Sequence, residues 1–434
     1  MSRSGSPPLG IALRPPSQVM HLSRMGAFHQ TRLSFKRTLL RRIQREAWTG
    51  DCPIWRIDAG GVGLAVYRIH GPGHCYSLVC FAHELAPEQR TDRVIADAWD
   101  STFALFDGEP GEGDLHRLAA NVPLQEAGRC SDRELVLSRA NKSVRLFEHV
   151  VTRLASGRQP DIEQIEAVGY LMRTTAVYGN GKFGVADRDR IADRAEFAAP
   201  FQAEMLTVWL IRTFTVQLVE HLARARAPET AVRMHNEIRR RLGVGNSTGL
   251  GMAPFLVSHP SLLHAWISAR ETALARVRSL QVAQPGSTGR FELLLISAQH
   301  QIASWNTDDD RQMQRILTLR ADLAKLRAHL VNDQPGERPW DALYRWGENE
   351  LSIEGQEMLV TLLLEPHGEL IDDLADTMSV NEDRTFAIDG SWTAAQTLAQ
   401  IEKNYAWALQ IDHAASSAHA RFWYISAEKL EPRL

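Results

Sequence analysis

Residues 54–83 read IWRIDAGGVGLAVYRIHGPGHCYSLVCFAH. Three alternating apolar runs stand in this stretch: Ile54 to Ala59, Val62 to His70 and Cys75 to His83, parted by Gly60-Gly61 and Gly71-Pro72-Gly73. Alternation with a period of two sends every second side chain to one face, and short glycine breaks let consecutive strands fold back. The stretch therefore predicts an antiparallel meander. A fourth strand is expected within Ala96 to Phe106, and on the other side Leu33, Leu39, Leu40, Ile43 and Trp48 suit one amphipathic helix over Arg32 to Trp48.

Past the acidic, glycine-rich break at Gly108 to Asp114 the spacing becomes helical. The expected helices are Asp132 to Ser156, Asp161 to Val177, Phe201 to Arg226, Glu229 to Leu242, Pro260 to Leu280, Arg290 to Trp305 and Asp308 to Leu330. In the last, Ile316, Leu319, Leu323, Leu326 and Leu330 recur at alternating intervals of three and four, a stripe for packing on a neighbouring helix. The fold class is thus α+β, predominantly α-helical: a small N-terminal antiparallel sheet followed by a large helical body. Four regions are expected: a flexible basic arm over 1–31, a small α+β sheet domain over 32–110, a helical domain over 111–332 carrying the glycine-rich loops, and a C-terminal helical region over 340–434 packing on that body.

With 434 residues, 44% of them hydrophobic and 23% charged, the chain can bury a sizeable core, which excludes a collagenous or wholly disordered protein. Its net charge of −3 is unevenly spread. Residues 1–45 hold nine basic residues and no acid, leaving 40 basic against 52 acidic residues beyond them. An acidic body repels phosphate backbones, so nucleic acid is not expected as a partner except through the basic arm. Four cysteines without a C-x2-C spacing give neither a disulfide framework nor a thiolate zinc site, and Cys75 and Cys80 read as small buried hydrophobes. No apolar run near Met1 resembles a signal peptide, and Met205 to Val219, interrupted by Arg212 and Gln217, is too short to span a bilayer. The expectation is a cytoplasmic protein without membrane association.

Chemistry is sought first in Leu242 to Ala269, LGVGNSTGLGMAPFLVSHPSLLHAWISA, where 28 consecutive residues carry no charge. Such a run implies burial, yet it holds polar residues whose burial costs free energy unless they find partners. Glycines between one helix end and the next helix start can also aim backbone N–H groups at an anion. Gly245, Asn246, Ser247, Thr248 and Gly249 are accordingly expected to bind substrate, with His259 or His264 moving a proton. A second loop, Tyr178-Gly-Asn-Gly-Lys-Phe-Gly184, places Lys182 among glycines in a chain with 43 arginines and only six lysines. Lys182 is expected to polarise the anion, with Asn180 and Gly181 contributing to its binding.

No metal-ligand set has a recognised spacing. Glu365, His367 and Asp372 with Asp412, His413 and His419 are the residues from which one could be assembled, so no cofactor is expected, with a divalent metal as the exception. The P-loop, the dinucleotide fingerprint and the Gly-x-Ser-x-Gly elbow are all missing. The leading expectation is an enzyme acting on a small carboxylate or phosphate by acid–base chemistry, a lyase, hydratase or isomerase, assembled as a homodimer. The alternatives are a non-catalytic scaffold using a helical groove and its basic arm, and a metal-dependent hydrolase.

Overall fold

The computed structural model describes residues 10–19, 24, 27–29, 31–90, 98–124, 131–177, 194, 196–197, 200–246, 260–305, 310–332, 336–379, 399 and 402–403. They fall into two compact units. One is built from the described residues between 35 and 246, and the other joins those between 10 and 34 to those between 260 and 403.

The first unit contains helix α1 (Phe35–Arg45), strands β1 (Thr49–Ile57), β2 (Gly63–His70), β3 (Cys75–Ala82) and β4 (Ser101–Asp107), helix α2 (Glu112–Asn121), strand β5 (Glu134–Lys142), helices α3 (Val144–Ala155) and α4 (Ile162–Val168), strand β6 (Tyr170–Val177), helices α5 (Pro200–Arg226) and α6 (Asn236–Arg241), and strand β7 (Gly243–Asn246). All seven strands form one curled sheet in chain order. Neighbours from β1 to β6 are antiparallel, whereas β6 and β7 run parallel. The meander appears where the glycines predict it. Gly63, at φ +139°, is required because a Cβ there would lie 2.0 Å from the carbonyl oxygen of Arg56.

The sheet is larger than the sequence reading expects, because β5 and β6 lie inside stretches read as helix. Strand β5, ELVLSRANK, is buried along nearly its whole length, and its polar residues fall on both faces, Glu134, Ser138 and Lys142 on one and Arg139 and Asn141 on the other, so no period of two separates polar from apolar positions. Helix α5 crosses one face of the sheet, where the Phe214 ring meets Trp55, Tyr67 and Phe103 at centroid distances of 6.1, 6.4 and 5.6 Å. On the other face Leu115 and Leu118 of α2, with Val122, pack on Val66, Val79, Phe81, Ala104, Phe106 and Leu137.

The second unit is helical: α7 (Pro260–Arg278), α8 (Pro285–Ala303), α9 (Asp310–Asn332), α10 (Pro339–Glu350) and α11 (Ile353–Leu364), followed by short helical turns to Ser379. Ile316, Leu319, Leu323 and Leu326 of α9 are buried, and α9 packs on α8 and α11. Ser352 caps α11 by accepting from the Gly355 N–H at 3.2 Å, while its own hydroxyl donates to Asp322 at 2.5 Å.

The described part of the N-terminal arm belongs to this helical unit. Arg14 donates to both oxygens of Glu271 at 2.7 and 2.5 Å and to Glu357 at 2.6 Å. Arg24 donates to Glu357 at 2.7 Å, and Arg32 forks onto Asp372 at 2.9 and 2.8 Å. Arg14 and Arg24, from a stretch expected to be loose, are therefore held by carboxylates far along the chain, as is Arg32 just beyond it. Among the described residues no helix is long and apolar enough to cross a membrane.

Candidate functional site

Most of the residues expected to form a site lie outside the described residues: Asn180, Gly181, Lys182, Ser247, Thr248, Gly249 and His259. The backbone of His264 lies in α7. Gly245 and Asn246 are in β7, paired with Arg173 and Thr174 of β6. Because β6 and β7 are parallel neighbours, the chain leaves both strands at the same end of the sheet, on its way to Tyr178 from one and to Ser247 from the other.

The opposite end of the sheet gathers ionisable groups that the sequence reading did not connect. There β3 ends, β4 begins and β5 ends, so that His83, Asp100 and Lys142 become neighbours. The His83 N–H donates to the Asp100 carbonyl at 2.8 Å, extending the β3–β4 ladder by one pair. The backbone N–H of Lys142 donates to Asp100 Oδ2 at 2.8 Å, and the Asp100 N–H donates to Asn141 Oδ1 at 3.2 Å. Asp100 Oδ1 then faces two cations, Lys142 Nζ at 3.9 Å and Arg90 Nε at 3.6 Å. These separations are ion pairs without a hydrogen bond. Among the described residues neither Asp100 Oδ1 nor Arg90 Nε has a hydrogen-bond partner.

Burial governs the electrostatics. Asp100 has 0% side-chain exposure and Lys142 7%. Burial pushes the Asp100 carboxyl above its usual range, opposed by the Lys142 N–H and by the charges of Lys142, Arg90 and His83. Burial likewise lowers Lys142, against the pull of Asp100 and with the help of Arg90. His83 is lowered by burial too, so its imidazole is held towards the neutral form; its Nε2 lies 3.2 Å from Thr102 Oγ1. Glu148 and Arg226, the next charges around Lys142, pair with each other. Among the described residues, two cations thus share one carboxylate beside an imidazole held towards its neutral form. This arrangement can bind an anion through the surplus positive charge and can exchange a proton at the imidazole or the lysine.

The signal that could have found this site is composition. Lys142 is one of only six lysines, and it closes a strand that is buried along nearly its whole length. His367 of the C-terminal third is buried with its Nδ1 2.7 Å from the Leu363 carbonyl, and Asp372 is engaged by Arg32. No family model, curated protein or solved structure matches the chain.

Proposed function

We propose that the chain is an enzyme that takes a small carboxylate or phosphate and acts on it by acid–base chemistry, in the manner of a lyase, hydratase or isomerase. The observation that carries this reading is the sharing of Asp100 by Lys142 and Arg90, which among the described residues leaves one positive charge over beside a buried carboxylate and a buried lysine, with Arg90 partly open to solvent. A buried surplus charge is costly, and an anionic ligand relieves that cost. In this reading Arg90 and Lys142 hold the anion, Asp100 keeps the lysine in place, and His83, kept neutral by burial, takes the proton.

The scaffold reading relies on a free basic arm. Arg14, Arg24 and Arg32 are engaged by carboxylates of the chain itself, which favours the enzyme. A thermal-shift screen of the wild type against small carboxylates and phosphates tests the proposal, with Lys142→Met and Arg90→Gln run beside it. Stabilisation by an anion that both variants lose is the expected result. An anion response that both retain would move the site elsewhere, and no response to any anion would remove the proposed substrate class.

A further inference from the structure

At the other end of β3 from His83, we propose that His70, Cys75 and Glu109 form a binding site for a divalent metal ion of the zinc class. His70 and Cys75 are register partners at the mouth of the β2–β3 hairpin, whose loop is closed by the Gly71 N–H donating to the His74 carbonyl at 2.9 Å. Glu109 follows β4 and is brought beside them because the Gly108 N–H donates to the Cys75 carbonyl at 2.8 Å. Gly108 makes that approach with φ +88°, and a Cβ there would press on Arg133 Nη2 at 2.9 Å. A turn only glycine makes easily thus delivers the third side chain.

One ligand atom from each residue, an imidazole nitrogen, the Cys75 sulfur and a Glu109 carboxylate oxygen, lies within 4.8 Å of the other two. Metal–ligand bonds of about 2.0–2.3 Å in a tetrahedral site separate ligand atoms by roughly 3.3–3.8 Å, so closure asks for an inward movement of about 1 Å by each side chain. The exposed Glu109 is free to make that movement. Its present partner, Arg68 at 2.9 Å, keeps a second carboxylate in Asp51, to which it donates at 3.0 and 2.6 Å. Releasing Glu109 to a metal therefore leaves no guanidinium stranded. A nitrogen, a thiolate and one carboxylate suit zinc and its neighbours in the first transition row, whereas magnesium and calcium prefer sets made wholly of oxygen. Three protein ligands leave a fourth position for water or substrate. The thiol proton is released on binding, so uptake of metal is accompanied by acid release.

Cobalt(II) serves as the probe, since a thiolate bound to it gives a sulfur-to-metal charge-transfer band in the near ultraviolet. Titration of the metal-free full chain is expected to give this band with one equivalent of cobalt and to lose it when zinc is added. Cys52→Ser should keep the band, Cys75→Ser should abolish it, and His70→Ala and Glu109→Gln should each weaken binding more than about tenfold, as loss of a ligand does. Absence of the band in the wild type, or its persistence in Cys75→Ser, would overturn the site. Should Cys75→Ser fail to fold, alkylation of the wild type decides. Zinc must slow modification of Cys75 while leaving Cys52 unchanged, and equal rates with and without zinc would refute the proposal.

Discussion

Arg270 and Glu357 meet at 2.6 Å with both side chains wholly withdrawn from solvent. Arg14 and Arg24 reach the same carboxylate at 2.6 and 2.7 Å, and the Phe28 ring covers Arg270 at 4.3 Å. Three guanidinium groups therefore depend on one acid, with Glu271 as the second acceptor for Arg14. Glu357→Gln leaves those cations under-compensated in a low-dielectric interior, and a loss of about 3–5 kcal/mol is expected. Urea denaturation followed by circular dichroism measures it; a change below about 1 kcal/mol would mean the cluster is better solvated than its burial implies.

The same residue sets an acid response. Burial alone would raise the Glu357 carboxyl, but the charges of Arg14, Arg270 and Arg24 hold it well below the usual carboxylate range. Its contribution to stability is complete above the unfolded value of about 4.3 and is lost as the pH falls from there towards the depressed folded value. Wild type should therefore lose stability more steeply than Glu357→Gln on acidification below about pH 4.3. Parallel curves for the two proteins would show that Glu357 does not titrate in this way.

Removal of residues 1–31 tests the arm. Truncation strips Arg14 and Arg24 from Glu271 and Glu357, so the melting temperature should drop by several degrees, as a loss of 1 kcal/mol or more would produce. An unchanged melting temperature would mean that these ion pairs add nothing to the fold.

Lys142 should show itself at alkaline pH. Its folded value is lowered by burial, so its contribution is full above the unfolded value of about 10.4 and is lost as the pH falls towards the folded value. Wild type should gain stability over Lys142→Met between neutral pH and about 10. A constant difference between the two proteins across that range would mean that Lys142 stays charged at little cost.

Phe214 joins α5 to the sheet through three aromatic contacts and is fully buried. Phe214→Ala should cost about 3–5 kcal/mol, the usual range for emptying such a position. Chemical denaturation with a near-ultraviolet probe of Trp55 reports it, and a loss under 1 kcal/mol would show that the neighbours close over the gap.

The meander from Ile54 to His83 was legible because β1 and β2 are part-exposed and glycines mark the turns; β3, buried at seven of its eight residues, was located by those turns. Strand β5 was hidden because both its faces are covered and ELVLSRANK spreads its polar residues over the two faces instead of confining them to one. Helix α5 was placed well because Phe201 to Arg226 holds no glycine or proline and is too long for a strand, even though Thr207, Val208, Thr213, Thr215 and Val216 favour strand locally. The cluster around Asp100 was not legible at all. Asp100 and Lys142 stand 42 residues apart and meet only through the register of β4 and β5, which no local pattern encodes. Arg14 looked like part of a solvated basic arm, because the carboxylates that claim it lie 257 and 343 residues away.

That separation also orders events at the ribosome. The sheet-bearing unit is continuous in the chain and can begin to fold as soon as its own residues emerge. The segment carrying Arg14 emerges before that unit but must wait for Glu357, 343 residues later, which at ordinary synthesis rates is about 20–70 s. During that interval its arginines stay hydrated, and a nascent chain released before α11 cannot complete the helical unit that its earliest residues help to build.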